Sequence, residues 1–250
     1  MIAGADMMPV PEWCMRTQLL VGEEAMQRLM HSHILVAGLG GVGGYVAELL
    51  VRAGVGAMTI VDADTVQLSN INRQLIALQD NMGKPKAELW AERLLRINPE
   101  LKLTVLNRFI EEGNMDELLG MAQYDFVADA IDSVAPKTAL LAACYARKQP
   151  VVSAMGAGAK SDPMAIRCDD IGKSHTCTLA RVVRARLRKE GIKKGIPVIY
   201  STEKPKTEAV MEIEGERNKR STAGTLSYLT ALFGCHMAGY IIRALCSLNE

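Results

Sequence analysis

Residues 33–50, His-Ile-Leu-Val-Ala-Gly-Leu-Gly-Gly-Val-Gly-Gly-Tyr-Val-Ala-Glu-Leu-Leu, decide the fold. The first five residues are an apolar run of strand length, Gly38, Gly40, Gly41 and Gly43 come directly after it, and the remainder has helical periodicity. A strand that turns on glycines into a helix is a phosphate cradle. The glycines let backbone approach an anion, and the helix N-terminus presents free N–H groups and partial positive charge. A second apolar run, ending Thr59-Ile60-Val61, delivers Asp62 nineteen residues after Gly43, where a carboxylate can accept ribose hydroxyls. Taken alone this is also a dinucleotide fingerprint, so a nicotinamide or flavin enzyme remains open at this point.

Outward from this unit, apolar runs at Ile34–Ala37, Met58–Val61, Leu103–Leu106, Phe126–Ala130 and Val151–Ala154 alternate with helix-period segments. One such segment carries Ala87, Trp90, Leu94 and Ile97 before Asn98-Pro99 ends it, and another runs from Lys137 to Arg147 behind Pro136. The pattern predicts an α/β protein with a doubly wound, mostly parallel, Rossmann-like sheet over residues 1–160. Residues 161–250 read as a smaller C-terminal region, continuous with the first as one domain. It has a strand-like Ala165–Cys168, a basic helix from about Cys177 to Glu190, a strand near Val198–Tyr200 and an apolar helix within Thr225–Ile242. The charged stretch Glu203–Arg220 reads as a lid or as disorder.

Composition narrows the class. An apolar fraction of 49% excludes a disordered polymer, and with only 4% aromatics the core falls to Leu, Val, Ile, Ala and Met. The net charge of +1 is unevenly placed: residues 181–220 hold 12 Lys/Arg against 6 Asp/Glu, whereas residues 1–180 hold 16 against 21. Such a basic segment can face a polyanion or be a solvated surface. Six cysteines without any C-x-x-C pair fit a reducing cytoplasm. The first residues lack the order of a secretory signal, and the apolar Thr225–Ile242 segment, with His236 and two glycines, suits a buried or dimer-packing helix better than a membrane span.

The residues beyond Asp62 decide between the cofactors. Asp62-Ala63-Asp64, Ser69-Asn70-Ile71-Asn72-Arg73-Gln74, Gly83-Lys84-Pro85-Lys86 and Asp129-Ala130-Ile131-Asp132-Ser133 all lie past the ends of successive strands. That density of polar groups suits a triphosphate and a metal better than a nicotinamide, which needs an apolar slot. Arg73 and Lys86 can neutralise charge on a leaving pyrophosphate, and Asp132 can hold Mg2+.

These motifs, G-x-G-G-x-G, D-x-D, S-N-x-x-R-Q, G-x-P-K and the Asp132-Ser133 pair, resemble the ubiquitin-activating-like adenylating family over residues 16–155. The resemblance implies that Gly41 and its neighbours contact phosphate and that Asp62 meets the ribose. Asn70, Arg73 and Lys86 would bind the triphosphate and Asp132 would act near magnesium, with Asp64 in the same D-x-D element. Arg16 looks like the family's early arginine, which in dimeric relatives reaches the nucleotide from the neighbouring subunit; a homodimer is implied. Gly156-Ala157-Gly158-Ala159-Lys160, Leu179-Ala180-Arg181-Val182-Val183-Arg184, Val198 to Pro205 and Leu232-Phe233-Gly234 are similar to the tRNA threonylcarbamoyladenosine dehydratase branch, extending the match to nearly the whole chain.

In that branch ATP activates a carboxylate on a modified tRNA nucleoside as an acyl-adenylate. Arg181, Arg184, Arg186 and Arg188 would then face the tRNA, and a sulfur-relay protein is a further candidate partner. The runner-up is a sulfur-carrier adenylyltransferase of the ThiF or MoeB type. Those relatives usually carry two C-x-x-C pairs for a structural zinc, and no such spacing occurs here, so no zinc is expected. A nicotinamide oxidoreductase and a non-catalytic nucleotide sensor are the remaining rivals. Cys177, beside His175, and the pair His31 and His33 read as ordinary residues rather than a nucleophile and a metal site. His236 is expected to be a hydrogen-bonded core or interface residue.

Overall fold

An apolar run becomes a central parallel strand when helices cover both of its faces. In the computed structural model, which describes residues 7–212 and 221–248, such runs form β1 (His33–Ala37), β2 (Ala57–Val61), β4 (Phe126–Asp129), β5 (Val151–Ala154) and β7 (Pro197–Ser201). Each has at least four consecutive buried residues. Strand β3 (Lys102–Leu106) lies at one edge and is largely exposed, and β6 (Ile166–Asp170) lies at the other. The spatial order is β3-β2-β1-β4-β5-β7-β6. All neighbours are parallel except β6, which runs antiparallel to β7 in the register Ile166↔Ser201.

The helices are α1 (Met15–Val21), α2 (Glu23–His31), α3 (Gly43–Arg52), α4 (Lys86–Ile97), α5 (Met115–Gly120), α6 (Val134–Ala146), α7 (Thr178–Lys189) and α8 (Ser227–Leu245). One face of the sheet meets α3, α4 and α8 through Ile34, Val36, Val46, Leu50, Trp90, Phe233 and Ile241. The other meets α5, α6 and α7 through Leu35, Val127, Leu118, Leu140, Val183 and Leu187. The sheet is therefore doubly wound, and its Rossmann-like α/β class is the one the sequence predicts.

Helix α8 belongs to this core. A Cβ added at Gly234 would stand 2.6 Å from the Tyr45 Cβ, so glycine is what lets α8 approach α3 this closely. No helix among the described residues is long and apolar enough to cross a membrane. Of the two places expected for His236, the core is excluded: it lies on the exposed face of α8, because its neighbours Phe233, Met237 and Ile241 occupy the buried stripe. Two short strands, β8 (Val210–Glu212) and β9 (Ser221–Ala223), form an antiparallel ribbon. The first lies within the charged stretch Glu203–Arg220 read as lid or disorder and the second just after it; residues 213–220 lie outside the described residues.

Candidate nucleotide site

The strand order reverses between β1 and β4, and in open α/β sheets a crevice forms at that point beyond the carboxyl ends of the strands. The glycine turn, Asp62 and the Asp129–Asp132 segment all converge there. Gly38 has φ +87°, a region that L side chains rarely adopt, and an added Cβ would lie 2.9 Å from the Ala130 carbonyl oxygen. At Gly43 an added Cβ would fall 1.8 Å from the Gly38 oxygen, so any other residue forces the turn open. The cradle is thus a place where backbone alone fits. Trp90 of α4 closes it from beneath, its indole N–H donating to the Leu39 carbonyl at 3.2 Å.

Asp62 is fixed by two backbone donors: the Leu39 N–H at 2.7 Å and the Asp64 N–H at 2.8 Å, one on each carboxylate oxygen. Burial raises its pKa above the ordinary carboxylate value, against the opposing pull of Lys86 and of these two hydrogen bonds. Lys86, the first residue of α4, is buried, and its ammonium donates to Asp64 Oδ2 at 2.9 Å. Its backbone N–H donates to the Asp64 carbonyl, also at 2.9 Å, so Asp64 and Lys86 are tied twice.

The Ser69–Gln74 segment lies over the glycines. Arg73 packs against Gly41, whose added Cβ would meet the Arg73 Cγ at 3.2 Å, and donates from Nη1 to the Ser69 carbonyl at 2.8 Å and Asn72 Oδ1 at 3.0 Å. Burial lowers the Arg73 pKa, and Asp132 across the crevice pulls it back up. Asn70 is buried, and its Oδ1 accepts the Gln67 N–H at 3.1 Å, so part of its role is to shape the turn that presents Arg73. Gln74 is buried with its Oε1 unpartnered among the described residues, and its Nε2 lies against Gly40. Asp132 sits exposed at the lip of the crevice and accepts from Ser133 Oγ at 3.3 Å.

Arg16 lies away from the crevice, and one of the α7 arginines is engaged within the fold. Arg16 is exposed on α1. Nearby Cys14 packs against Gly54, just past the end of α3 remote from the glycine turn, which places α1 at the opposite end of a helix about 15 Å long. On α7, Arg181, Arg186 and Arg188 are exposed, but Arg184 is half-buried and donates to the Ser174 carbonyl and, at 2.7 Å, to Ser174 Oγ. Its guanidinium braces the preceding loop. Cys177 is buried with its Sγ 4.0 Å from the Gly156 carbonyl, while His175 turns toward Thr176 and the Tyr200 ring.

Among the described residues, no group of three or more His, Cys, Asp or Glu side chains is arranged to hold a metal by itself. Mg2+ held by a single carboxylate together with nucleotide phosphates does not require such a group.

The sequence reading missed one feature. Asp129, at the end of β4, is fully buried with Lys137 and Ser153 around it. A carboxylate ending an apolar strand, with a lysine eight residues later inside the apolar helix of Thr138-Ala139-Leu140-Leu141, was the available signal.

Comparison with known proteins agrees with this architecture. The ThiF family model matches residues 15–250. The chain is 37% identical to the tRNA threonylcarbamoyladenosine dehydratase of Bacillus subtilis, over 92% of this chain and 93% of that protein. It is 40% identical to the Escherichia coli protein of the same name, over 87% of each chain. The crystal structure of the E. coli tRNA N6-threonylcarbamoyladenosine dehydratase in complex with ATP superposes with a TM-score of 0.86 at 36% identity, covering 95% of both chains.

Proposed function

The chain belongs to the ThiF family, and we propose that it uses ATP to dehydrate N6-threonylcarbamoyladenosine in tRNA, closing the threonylcarbamoyl group into a ring. The observation that carries this reading is one crevice in which the glycine cradle, Asp62, Arg73, Lys86 and Asp132 converge, in a chain that resembles such dehydratases along its whole length.

In this reading the nucleoside's carboxylate oxygen attacks the α-phosphorus of ATP and the bond to pyrophosphate breaks. A nucleophile within the threonylcarbamoyl group then attacks the activated carbonyl. AMP leaves with the former carboxylate oxygen, and the nucleoside has lost one water. Positioning and charge stabilisation supply most of the rate, and no covalent enzyme intermediate is needed. Gly38, Gly40, Gly41 and Gly43 bring backbone N–H groups to phosphate, and Asp62 accepts the ribose hydroxyls.

Arg73 and Lys86 carry the charge that develops as pyrophosphate departs, with Asn70 and Asp64 holding both in place. Asp132 would hold Mg2+ together with the phosphates, and the exposed carboxylate opposite Arg73 suits that donor role. The metal would supply charge neutralisation on the phosphate oxygens.

Residues 1–160 act as the adenylating core and residues 161–250 present the tRNA. Arg181, Arg186 and Arg188 meet its backbone, in the cytoplasm where ATP and tRNA coexist. Arg16 acts on the nucleotide of a second copy, because α1 stands at the far end of α3 from the cradle of its own chain. A sulfur-relay protein would be a partner outside this reaction.

One assay tests the whole reading: the protein is incubated with ATP and threonylcarbamoyl-modified tRNA, and the digested nucleosides are weighed. Loss of one water, with release of AMP and pyrophosphate, is expected. An unchanged mass, or a change that needs no ATP, overturns it.

A further inference from the structure

We propose that Asp129, Lys137 and Ser153 form a buried positioning device that sets the turn carrying Asp132, an inference that rests on the assignment of Asp132 to the metal-bearing side of the crevice. Asp129 and Lys137 are both fully buried, with Lys137 Nζ 2.6 Å from Asp129 Oδ2. Ser153 is equally buried and donates its hydroxyl to the same oxygen at 2.6 Å, while Lys137 also donates to Ser153 Oγ at 3.0 Å. Parallel register makes this meeting possible: Asp129 and Ser153 are direct partners across β4 and β5, and Lys137 enters from the first turn of α6.

The second carboxylate oxygen reaches the turn that follows β4. Asp129 Oδ1 accepts the Ile131 N–H at 3.1 Å, closing the strand end into the turn Ala130-Ile131-Asp132. The same turn is held from the other side, where the Ala130 N–H donates to the Ala37 carbonyl at 2.9 Å and the Ala130 oxygen abuts Gly38. Asp129 thus links the buried lysine to the residue immediately before Asp132. A buried ion pair is a poor way to stabilise a core, since well-packed apolar side chains of similar volume do as well or better. Its placement at the base of this one turn, instead of elsewhere in the apolar β4–β5–α6 layer, is accounted for if orientation is what it supplies.

The test uses the full chain with ATP and modified tRNA, reading kcat and KM for ATP. Calorimetry reads ATP affinity with Mg2+ and with a chelator, and thermal unfolding checks the fold. Ser153→Ala is expected to lower kcat by roughly 3- to 10-fold and to shrink the Mg2+-dependent gain in ATP affinity by a similar factor. Chelator-state affinity should stay unchanged, and Ser153→Thr, which keeps the hydroxyl, should recover most of the loss. In the Asp132→Asn background Ser153→Ala should cause no further fall, since both act through one group.

Should Ser153→Ala fail to fold, Ser153→Cys keeps the volume with a weaker donor and is read in the same way. A folded variant with wild-type kcat and Mg2+ response overturns the proposal, as does a loss that adds fully to that of Asp132→Asn. The Asp132→Asn variant alone separates the two claims. If it impairs the Mg2+ response while the Ser153 effect is additive, only the positioning role fails; if it leaves that response intact, the metal assignment fails and the positioning role with it.

Discussion

At the scale of single residues, Asp62 joins structure to chemistry most directly, because one carboxylate shapes the cradle and, in the proposed function, accepts the ribose hydroxyls. Its pKa is raised, chiefly by burial. Between the ordinary carboxylate value and the raised one, the folded chain keeps a proton that the unfolded chain has lost. The stability contributed by this group is therefore fully present below the ordinary value and is lost as pH rises through the raised value. Nucleotide binding runs the opposite way, since only the ionised form accepts both hydroxyls. ATP affinity measured by calorimetry should weaken on acidification with a midpoint above the ordinary carboxylate value of about 4, and Asp62→Asn should bind weakly without that limb. A limb that survives Asp62→Asn would assign it elsewhere. Asp62, Lys86 and Arg73 were legible as candidates because their motifs put Asp62 just past β2, Lys86 at the start of α4 and Arg73 in the turn that follows Asn70. The partners of Asp129 were not, because the meeting of Asp129 with Ser153 depends on strand register, which no local pattern encodes.

At the scale of elements, α7 holds its arginines in two environments. The amphipathic pattern turns Ala180, Val183 and Leu187 inward and leaves Arg181, Arg186 and Arg188 exposed, while Arg184 is drawn back to Ser174. Charge count alone treats the four as equals, since the Ser174 loop that captures Arg184 has no signature of its own. If the exposed three meet tRNA phosphates, each Arg→Ala change should weaken tRNA binding at low salt. Each should also reduce the slope of log affinity against log salt by about one. Arg184→Ala should instead lower the unfolding midpoint by a few degrees, consistent with loss of about 1–2 kcal/mol of hydrogen bonding, with the salt slope unchanged. Filter-binding titrations across a salt series and a thermal melt distinguish the two groups, and a uniform effect on slope across all four would remove the division. The central strands were visible as short apolar runs bounded by turn residues. The β8–β9 ribbon was not, because its three-residue strands sit beside charge and lack any alternation long enough to read.

At the scale of the whole molecule, one chain carries an exposed apolar end that its own core does not use. Leu19 and Leu20 of α1 are 82% and 83% exposed, and Arg16 stands beside them on the same short helix, away from the cradle of its own chain. If α1 of each copy lies across the crevice of the other, the partner covers these leucines and each Arg16 meets the other copy's nucleotide. The arrangement predicts that Arg16→Ala and Lys86→Ala are each inactive alone yet complement one another. In a mixed dimer, the Arg16→Ala chain keeps its own Lys86 and receives the intact Arg16 of its partner, giving one complete site in two. Random exchange of equal amounts makes half the dimers mixed, so about a quarter of wild-type activity should return. Leu19→Lys with Leu20→Lys should yield a monomer by sedimentation and abolish that recovery. If the mixture stays inactive while differently tagged variant chains co-purify as mixed dimers, Arg16 serves its own chain, and α1 must then swing the length of α3 to reach the phosphates.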